Sequence, residues 1–423
     1  MGVQVTVLGG GGFRTPLLVR ALRASRLTLD RVTLYDVDPD RLAVMAAVLG
    51  EVEVSTDPAA AMAGADIVFS AMRIGGADGR VADERAALAA GVLGQETTGA
   101  GGLAYALRCL PMCLDLARHV PPAAWFVNMT NPAGIVTEAL RPALGDRVVG
   151  VCDSPSRLIR RAERALDLVP GTATPDYLGL NHLGWLRSLD VEGVDRLPSL
   201  LRDPARLERT EEGRLFGATF LAALRSLPNE YLWYWYLARE AAAASAAGET
   251  RGEHVARTQA AFYAEAAAHP EHAAHLWAAA NGERNASYLA EARAEGEERD
   301  TDDADAGGYE TVAVALAEAL TGGAPTRLVL NTVVEVEGLP TGSVVETLCD
   351  VTSEGVVPVP SPPPSPHQLG LMATVKACER AVIEAVVTRS PEAAFRAFAL
   401  HPLVGAAAAE SLADDAWARS GLG

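Results

Sequence analysis

The sequence predicts an α/β protein in which a doubly wound parallel sheet is followed by a helix-rich α/β domain. Through about residue 152, short β-branched runs alternate with Ala- and Leu-rich stretches of helical period. Such alternation is typical of a parallel sheet covered by helices. From about residue 155 to 290 the composition becomes mainly helical. We therefore predict a first domain at residues 1–170 and a second at residues 171–423.

Seven runs have the composition of strands. They lie at residues 3–8, 31–35, 66–71, 125–128, 148–152, 326–336 and 343–351. Residues 15–24 and 39–49 have helical period and connect the first three strands. The Pro- and Ser-rich stretch 358–366 cannot continue a helix or a central strand, so we expect an extended loop there. A final helix is predicted to begin near residue 370.

Composition excludes several classes of protein. A chain of 423 residues with 49% hydrophobic and 21% charged residues is typical of a globular protein large enough for two domains. A net charge of −18 argues against nucleic-acid and anionic-membrane partners. The sequence begins directly with a strand, and no stretch approaches the roughly 18 apolar residues of a membrane span. Its five scattered cysteines do not form a disulfide framework. We expect a cytoplasmic protein.

A glycine run stands between the first predicted strand and the first predicted helix. It consists of Gly9, Gly10, Gly11 and Gly12. Glycines in this context let the backbone turn tightly and approach a pyrophosphate at a helix N-terminus, whereas elsewhere they often form only a flexible turn. Asp36 follows the second strand, where an acid accepts hydrogen bonds from the adenosine ribose and repels a 2′-phosphate. These features predict a Rossmann-type domain that binds NAD.

Three side chains outside the glycine run are candidates for chemistry, although each has a common structural explanation. A lone cysteine such as Cys152 is usually a small buried hydrophobe, and a lone histidine such as His182 is usually a hydrogen-bonded one. Tyr231 opens the aromatic run 231–236, whose spacing is also that of a buried helix face. Residue type alone therefore leaves the functions of these side chains open.

Eight short motifs occur in order along nearly the whole chain. They lie at residues 9–11 with 15–16, 35–36, 73–76, 94–99, 128–132, 151–155, 179–183 and 231–234. In this order and spacing they resemble the family 4 glycoside hydrolases, which depend on NAD and a divalent metal. The segments 94–99 and 179–182 are the most specific. The resemblance implies the architecture of the lactate and malate dehydrogenases.

The resemblance assigns roles to individual residues. It implies that Cys152 and His182 coordinate a divalent metal, commonly Mn²⁺; a thiolate and an imidazole suit a first-row transition metal. It gives Tyr231 the role of catalytic base, and Asp153 is a candidate acid for the departing oxygen. Substrate-binding positions match Arg73, Asn131, Asn181 and Arg251.

The implied substrate is a small 6-phosphorylated glucoside, most simply a 6-phospho-β-glucoside. Two arginines in so acidic a chain fit a phosphate clamp, because a guanidinium binds phosphate through two hydrogen bonds. The implied reaction oxidises the sugar at C3, removes the C2 proton, eliminates the aglycone and adds water, with the hydride finally returned to C3. Relatives of this kind are homodimers or homotetramers, and we expect the same here.

Departures from the family pattern leave substrate identity open. Phe13 and Arg14 replace the residues usual after the glycines. Where the family has an Asn-Asn-Gly stretch, this sequence has Val333, Val334 and Glu335. Asp153 resembles the α-specific branch of the family, whereas Leu183 and the threonines at 97–98 resemble the β-specific branch.

Other functions fit parts of the sequence. An α-specific enzyme or one acting on unphosphorylated glycosides would belong to the same family. An NAD-dependent 2-hydroxyacid dehydrogenase would share the fold but leave Cys152 and Tyr231 unexplained. A non-catalytic NAD-binding sensor would be consistent with the changed region around Asn331.

Overall fold

A computed structural model describes residues 2–246, 248–286 and 308–423. A mixed sheet of 13 strands runs through the described residues. The strands are β1 (Val3–Leu8), β2 (Leu29–Tyr35), β3 (Glu53–Ser55), β4 (Ile67–Ser70), β5 (Trp125–Asn128), β6 (Val148–Gly150), β7 (Thr174–Leu180), β8 (Leu183–Val191), β9 (Val194–Asp195), β10 (Leu227–Pro228), β11 (Thr326–Val333), β12 (Val344–Thr352) and β13 (Gly355–Pro358).

Helices cover this sheet. They are α1 (Thr15–Ala24), α2 (Pro39–Leu49), α3 (Pro58–Met62), α4 (Gly76–Ala89), α5 (Ala100–Leu116), α6 (Ala133–Leu144), α7 (Ser154–Ala165), α8 (Leu197–Leu201), α9 (Pro204–Leu207), α10 (Glu211–Phe216), α11 (Ala218–Leu224), α12 (Trp233–Tyr236), α13 (Ala238–Ala246), α14 (Arg251–Ala268), α15 (Ala273–Ala286), α16 (Tyr309–Leu320), α17 (Pro366–Thr388), α18 (Pro391–Leu400) and α19 (Ala406–Ser420). Short 3₁₀ turns lie at Ala117–His119, Gly145–Arg147, Glu230–Leu232 and Pro270–His272.

The first half of the sheet is parallel, with strand order β3-β2-β1-β4-β5-β6. This is the doubly wound order that places a dinucleotide at the switch point beside β1. The predicted fold class is therefore confirmed, and α1 and α2 have the predicted bounds. The predicted strand 148–152 is shorter than expected, because it ends at Gly150 and the chain leaves the sheet before Cys152.

The second half extends the same sheet with antiparallel strands. Beyond β6 the order continues β11-β12-β7-β8-β10. The prediction that residues 155–290 are mainly helical is wrong for the hairpin β7–β8. That hairpin is a strand pair because it joins β12, far away in the chain, and tertiary pairing of this kind overrides local propensity. The division at residues 170 and 171 stays a prediction.

The C-terminal helices pack back onto the first half of the chain. One apolar cluster extends from Leu8 through α5 and α6 to Leu422, and it includes the inner faces of α17, α18 and α19. The predicted helix begins at Pro366, four residues before the predicted position, since the Ser365 hydroxyl accepts a hydrogen bond from the Gln368 amide and caps it. It is not the final helix as predicted, because α18 and α19 follow it. Among the described residues, every helix is too short or too polar to span a membrane.

Candidate active site

The glycine run forms the tight turn between β1 and α1. Gly9 has a φ of +80°, and a Cβ there would lie 2.8 Å from Met72 Cα. A Cβ at Gly10 would lie 2.6 Å from Leu34 Cβ. Side chains at these positions would push the loop away from the neighbouring strands. The turn therefore makes a cradle at the helix N-terminus that fits the pyrophosphate of a dinucleotide.

The middle of this loop is held from two sides. The Asp36 carboxylate accepts hydrogen bonds from the Gly11 amide (3.1 Å) and the Asp38 amide (3.2 Å), and burial raises the pKa of Asp36. From the other side, Tyr263 of α14 donates its hydroxyl to the Gly11 carbonyl at 2.7 Å. The Arg41 guanidinium lies 4.5 Å from the centre of the Tyr263 ring. The loop and the predicted ribose-binding acid are thus fixed together.

The packing of Phe13 explains why this chain departs from the family pattern at that position. Its ring is buried and packs edge-on against Phe262 of α14, with centroids 5.4 Å apart. Trp277 of α15 donates its indole N–H to the Phe13 carbonyl at 2.8 Å. The unusual residue after the glycines therefore anchors α14 and α15 over the loop.

A cavity of about 210 Å³ lies beside the glycine loop. Its walls include predicted site residues and four further arginines. The predicted residues are Gly12, Arg73, Asn131 and Tyr231, and the further arginines are Arg14, Arg41, Arg80 and Arg284. The cavity reaches from the glycine run to the predicted base, so the predicted cofactor and sugar sites adjoin one space.

Cys152 and His182 follow the two ends of a row of cross-strand neighbours. The row consists of Gly150 in β6, Asn331 in β11, Glu346 in β12 and Gly179 in β7. Cys152 comes two residues after the first member, and His182 comes three residues after the last. The junction between the parallel and antiparallel parts of the sheet therefore fixes the backbone on which both predicted ligands lie.

Glu346 is a fully buried inner member of this row. Its carboxylate accepts hydrogen bonds from the Asn331 amide group (2.9 Å) and the Tyr177 hydroxyl (3.2 Å). Asn229 donates in turn to the Tyr177 oxygen at 3.0 Å. Burial raises the pKa of Glu346 to about 7 despite these donors. The changed residues 333–335 come after Asn331, which keeps its place in the row.

The contacts of His182 orient its ring so that one nitrogen, Nε2, is available to a ligand. Its φ is +62°, and its Nδ1 lies 2.9 Å from the Thr97 hydroxyl. Its Nε2 is buried and has no hydrogen-bond partner among the described residues. The ring stacks on Tyr231, with centroids 3.7 Å apart and planes within 6°. Burial lowers the pKa of His182 to about 4, which keeps the imidazole neutral as a metal ligand requires.

Cys152 shares the electrostatic surroundings of His182. Its thiol is buried, and burial together with Glu346 and Asp153 raises its pKa well above the ordinary value. The carboxylates of Asp153 and Glu230 raise the pKa of both Cys152 and His182. Within the described ranges, no group of three or more His, Cys, Asp or Glu side chains is arranged for a metal. A buried thiol and an imidazole whose Nε2 has no partner among the described residues fit a transition metal that takes its other ligands from a small molecule.

Tyr231 lies in the 3₁₀ turn Glu230–Leu232, and α12 begins only after it. The buried Glu230 beside it accepts a hydrogen bond from the Ser154 hydroxyl at 2.8 Å. Asp153, immediately before α7, has its Oδ2 3.7 Å from Arg157 Nη1. The Ser154–Glu230 contact therefore connects the turn of the predicted base to the start of α7, which directly follows the predicted acid.

The two predicted phosphate-binding arginines have different partners. Arg73 forms an ion pair with Glu96, which also lies 3.0 Å from Arg80 Nη1. Burial would raise the pKa of Glu96, but Arg73 and Arg80 lower it to about 2. Arg251, the first residue of α14, donates to the Arg284 carbonyl at 3.0 Å. Only Arg73 of the predicted pair lines the cavity.

The two predicted asparagines lie close to the same loop. Asn131 lines the cavity and hydrogen-bonds Tyr309 of α16. The side-chain Oδ1 of Asn181 accepts a hydrogen bond from the Ala133 amide at 3.1 Å. The structure thus places both of them beside the segment 131–133.

Several candidate residues were missed by sequence reasoning. Glu96 lies within the specific segment 94–99 and could have been found there. Four others lie in segments whose composition does not indicate a functional site, and only the fold brings them to the cavity and its surroundings. They are Tyr263, Arg284, Tyr309 and Glu346.

Two family models match the chain. Residues 4–168 match the model described as Family 4 glycosyl hydrolase. Residues 177–404 match the model described as Family 4 glycosyl hydrolase C-terminal domain.

Individual proteins are similar over almost the whole chain. A probable 6-phospho-β-glucosidase of Bacillus subtilis (strain 168) is 28% identical over 432 residues, covering 95% of this chain and 92% of that protein. The 6-phospho-β-glucosidase of Thermotoga maritima, solved with manganese, NAD⁺ and glucose-6-phosphate, has a TM-score of 0.79 and 27% identity, covering 98% of this chain and 97% of that one. A 6-phospho-α-glucosidase from gut microorganisms, solved with NAD and Mn²⁺, has a TM-score of 0.80 and 26% identity, covering 100% and 99%.

The buried Glu346 makes the stability of the metal-free and cofactor-free protein depend on pH. Its folded-state pKa of about 7 lies above its unfolded-state value, so its contribution is fully present below pH 4.5 and is lost as pH rises through 7. The stability of Glu346→Gln relative to the unmodified protein should therefore increase between pH 5 and pH 8, by on the order of 3 kcal/mol. Urea unfolding at both pH values measures this. The exposed Glu354→Gln is the control, and an equal difference for Glu346→Gln at both pH values would contradict the assignment.

Proposed function

The chain belongs to the family 4 glycosyl hydrolases, and on that premise we propose that it cleaves 6-phosphorylated glucosides with NAD and a divalent transition metal as cofactors. The observation that carries the proposal is the buried His182 Nε2, which has no hydrogen-bond partner in the described part of the chain and lies next to the ring of Tyr231. A 2-hydroxyacid dehydrogenase of related fold would leave Cys152 and Tyr231 unexplained. The similar enzymes solved with NAD, Mn²⁺ and glucose-6-phosphate support the same cofactors and substrate class here.

The glycine run and Asp36 would hold NAD. The cradle at residues 9–12 would face the pyrophosphate, and the Asp36 carboxylate, held by the Gly11 amide, would bind the ribose hydroxyls. Cys152 and His182 would hold the metal, since one would supply a thiolate and the other its Nε2, which no described residue engages. When bound, NAD supplies reversible oxidation at C3 of the sugar, which acidifies the C2 proton, and the metal polarises the neighbouring oxygens.

The protein's own groups move the protons. Tyr231 would take the proton from C2, because its ring lies against His182 at the wall of the shared cavity. Asp153 would donate a proton to the departing oxygen, and Arg157 restrains its carboxylate. Water then adds at C1, and the proton returns to C2. The cycle consumes no oxidant, so reduced cofactor would not accumulate.

Asn131, Asn181, Arg73 and Arg251 would bind the sugar and its phosphate. We favour a β-glucoside because the threonines at 97–98 and Leu183 resemble the β-specific branch. Enzymes of both anomeric types are similar to this chain, so an α-glucoside is the second candidate. We also propose a homodimer or homotetramer in the cytoplasm.

A glycoside panel crossed with and without NAD⁺ and Mn²⁺ tests the function. We expect cleavage of a 6-phosphorylated aryl glucoside only with both cofactors and without net NADH. Tyr231→Phe should lower kcat by roughly 10²–10⁴-fold, the usual contribution of a general base, while NAD binding is unchanged. Tyr236→Phe, in the same aromatic run, is the control.

Three results would contradict the proposal. Cleavage without NAD⁺ or Mn²⁺ would exclude this chemistry. Steady NADH formation with a 2-hydroxyacid would indicate the dehydrogenase. Cofactor binding without cleavage of any phosphorylated or unphosphorylated glycoside would indicate the sensor.

Metal binding should depend on pH through Cys152. Because burial raises the pKa of its thiol, the metal must displace a proton, and the apparent affinity for Mn²⁺ should rise from pH 6 to pH 8. Cys152→Ser should weaken Mn²⁺ binding at least about tenfold and flatten this dependence. Titration followed by electron paramagnetic resonance measures both effects. Cys349→Ser, at a buried cysteine outside the site, should behave like the unmodified protein.

A further inference from the structure

The turn that carries Tyr231 is held from two sides by the buried residues that precede it, Asn229 and Glu230. The backbone amide of Asn229 donates to the Gly184 carbonyl of β8 at 3.0 Å. The side chain of Asn229 donates to the Tyr177 hydroxyl of β7, also at 3.0 Å. The first side of the turn is therefore fixed to the β7–β8 hairpin, and Glu230 holds the second side.

Glu230 contacts one face of α7. Its Oε1 accepts a hydrogen bond from the Ser154 hydroxyl at 2.8 Å, and its Oε2 lies 3.6 Å from Arg161 Nη2. Ser154 and Arg161 are separated by about two helical turns, so they lie on the same side of the helix. Burial would raise the pKa of Glu230, but Arg161 and Arg157 lower it. The carboxylate therefore joins the turn to α7 through both a hydrogen bond and an ion pair.

Arg161 is itself fixed by two carboxylates of α10. Glu212 accepts hydrogen bonds from Arg161 Nε at 3.1 Å and from Nη2. The Glu211 Oε2 lies 3.1 Å from Arg161 Nη1. All three side chains are buried. A guanidinium held through two parallel hydrogen bonds has a defined orientation, so Arg161 offers Glu230 a fixed partner.

This buried cluster is expected to act on geometry more than on stability. A buried ion pair often adds no stability relative to apolar residues of similar volume. Glu230 directly precedes Tyr231, whose ring stacks on His182 with centroids 3.7 Å apart. A displacement of about 1 Å at a reacting group can lower a rate by roughly 100-fold. A shift of Glu230 would therefore be felt first in the position of the Tyr231 ring.

We propose that Glu230 is a positioning residue that sets the place of Tyr231 against His182, and that Arg161 holds Glu230 in position. The inference rests on the proposed function, in which Tyr231 is the base. Glu230 is fully buried and lies outside the wall of the cavity, so it acts through Tyr231 and not on the sugar. The motif at residues 231–234 begins after Glu230 and gave it no role.

Kinetics of Glu230→Gln, measured on the full chain with NAD⁺ and Mn²⁺, test the inference. The substitution keeps the size of the side chain and removes its charge. We expect kcat for a 6-phosphorylated aryl glucoside to fall at least about tenfold, while KM and the dissociation constants of NAD⁺ and Mn²⁺ change less than about threefold. The kinetic isotope effect of deuterium at C2 should increase, because removal of that proton becomes slower.

Two further variants make the test specific. Glu211→Gln is the matched control, because it changes another carboxylate beside Arg161 and leaves both hydrogen bonds of Glu212 in place. Its kcat and isotope effect should equal those of the unmodified protein. Ser154→Ala removes the other contact of Glu230, so it should change kcat and the isotope effect in the same direction as Glu230→Gln, by a smaller factor. This variant decides the question if Glu230→Gln does not fold.

Crystal structures of Glu230→Gln and Glu211→Gln separate the inference from the proposed function. The Tyr231 ring should move off His182 only in Glu230→Gln, and a ring that stays in place there would overturn the inference. A lower kcat with an unchanged isotope effect, or equal losses in Glu230→Gln and Glu211→Gln, would also overturn it. If the unmodified protein cleaves no glycoside but the ring moves only in Glu230→Gln, the positioning role stands and the proposed hydrolase function fails.

Discussion

The buried carboxylate of Glu346 joins three antiparallel strands, β11, β12 and β7, next to the junction on which the site depends. Asn331 and Tyr177 both donate to it, and it is one of the two inner members of the row from Gly150 to Gly179. Such a group is costly to bury unless its hydrogen bonds are made, so this arrangement tolerates little change in register. Cys152 and His182 follow the two ends of the row, and their backbone positions therefore depend on that network.

The site contains a buried polar group whose burial costs free energy in the protein without ligands. His182 keeps a buried ring nitrogen without a partner among the described residues. A metal ion bound at this nitrogen would relieve that cost. Under the proposed function, the site is therefore organised in advance for a metal held next to Tyr231.

Local signals in the sequence were sufficient for the fold class and for the first two helices, although β3 was not predicted and the strand predicted at 148–152 ends at Gly150. The glycine run, α1 and α2 could be predicted because hydrophobic period and turn chemistry act over a few residues. The hairpin β7–β8 and the single continuous sheet could not, since they depend on pairing with β12. The same limit applies to the site: Cys152, His182 and Tyr231 were found through motifs, whereas Glu346 and Arg284 are brought in by long-range packing.

The central claim is that the glycosidic bond breaks after removal of the C2 proton. Cleavage of a 6-phosphorylated aryl glucoside in D₂O, with NAD⁺ and Mn²⁺, tests it most directly. Mass spectrometry and NMR of the glucose 6-phosphate formed should show one deuterium at C2, because the proton removed by Tyr231 is replaced from solvent. A product that keeps its original hydrogen at C2 while the bond is cleaved would contradict the account.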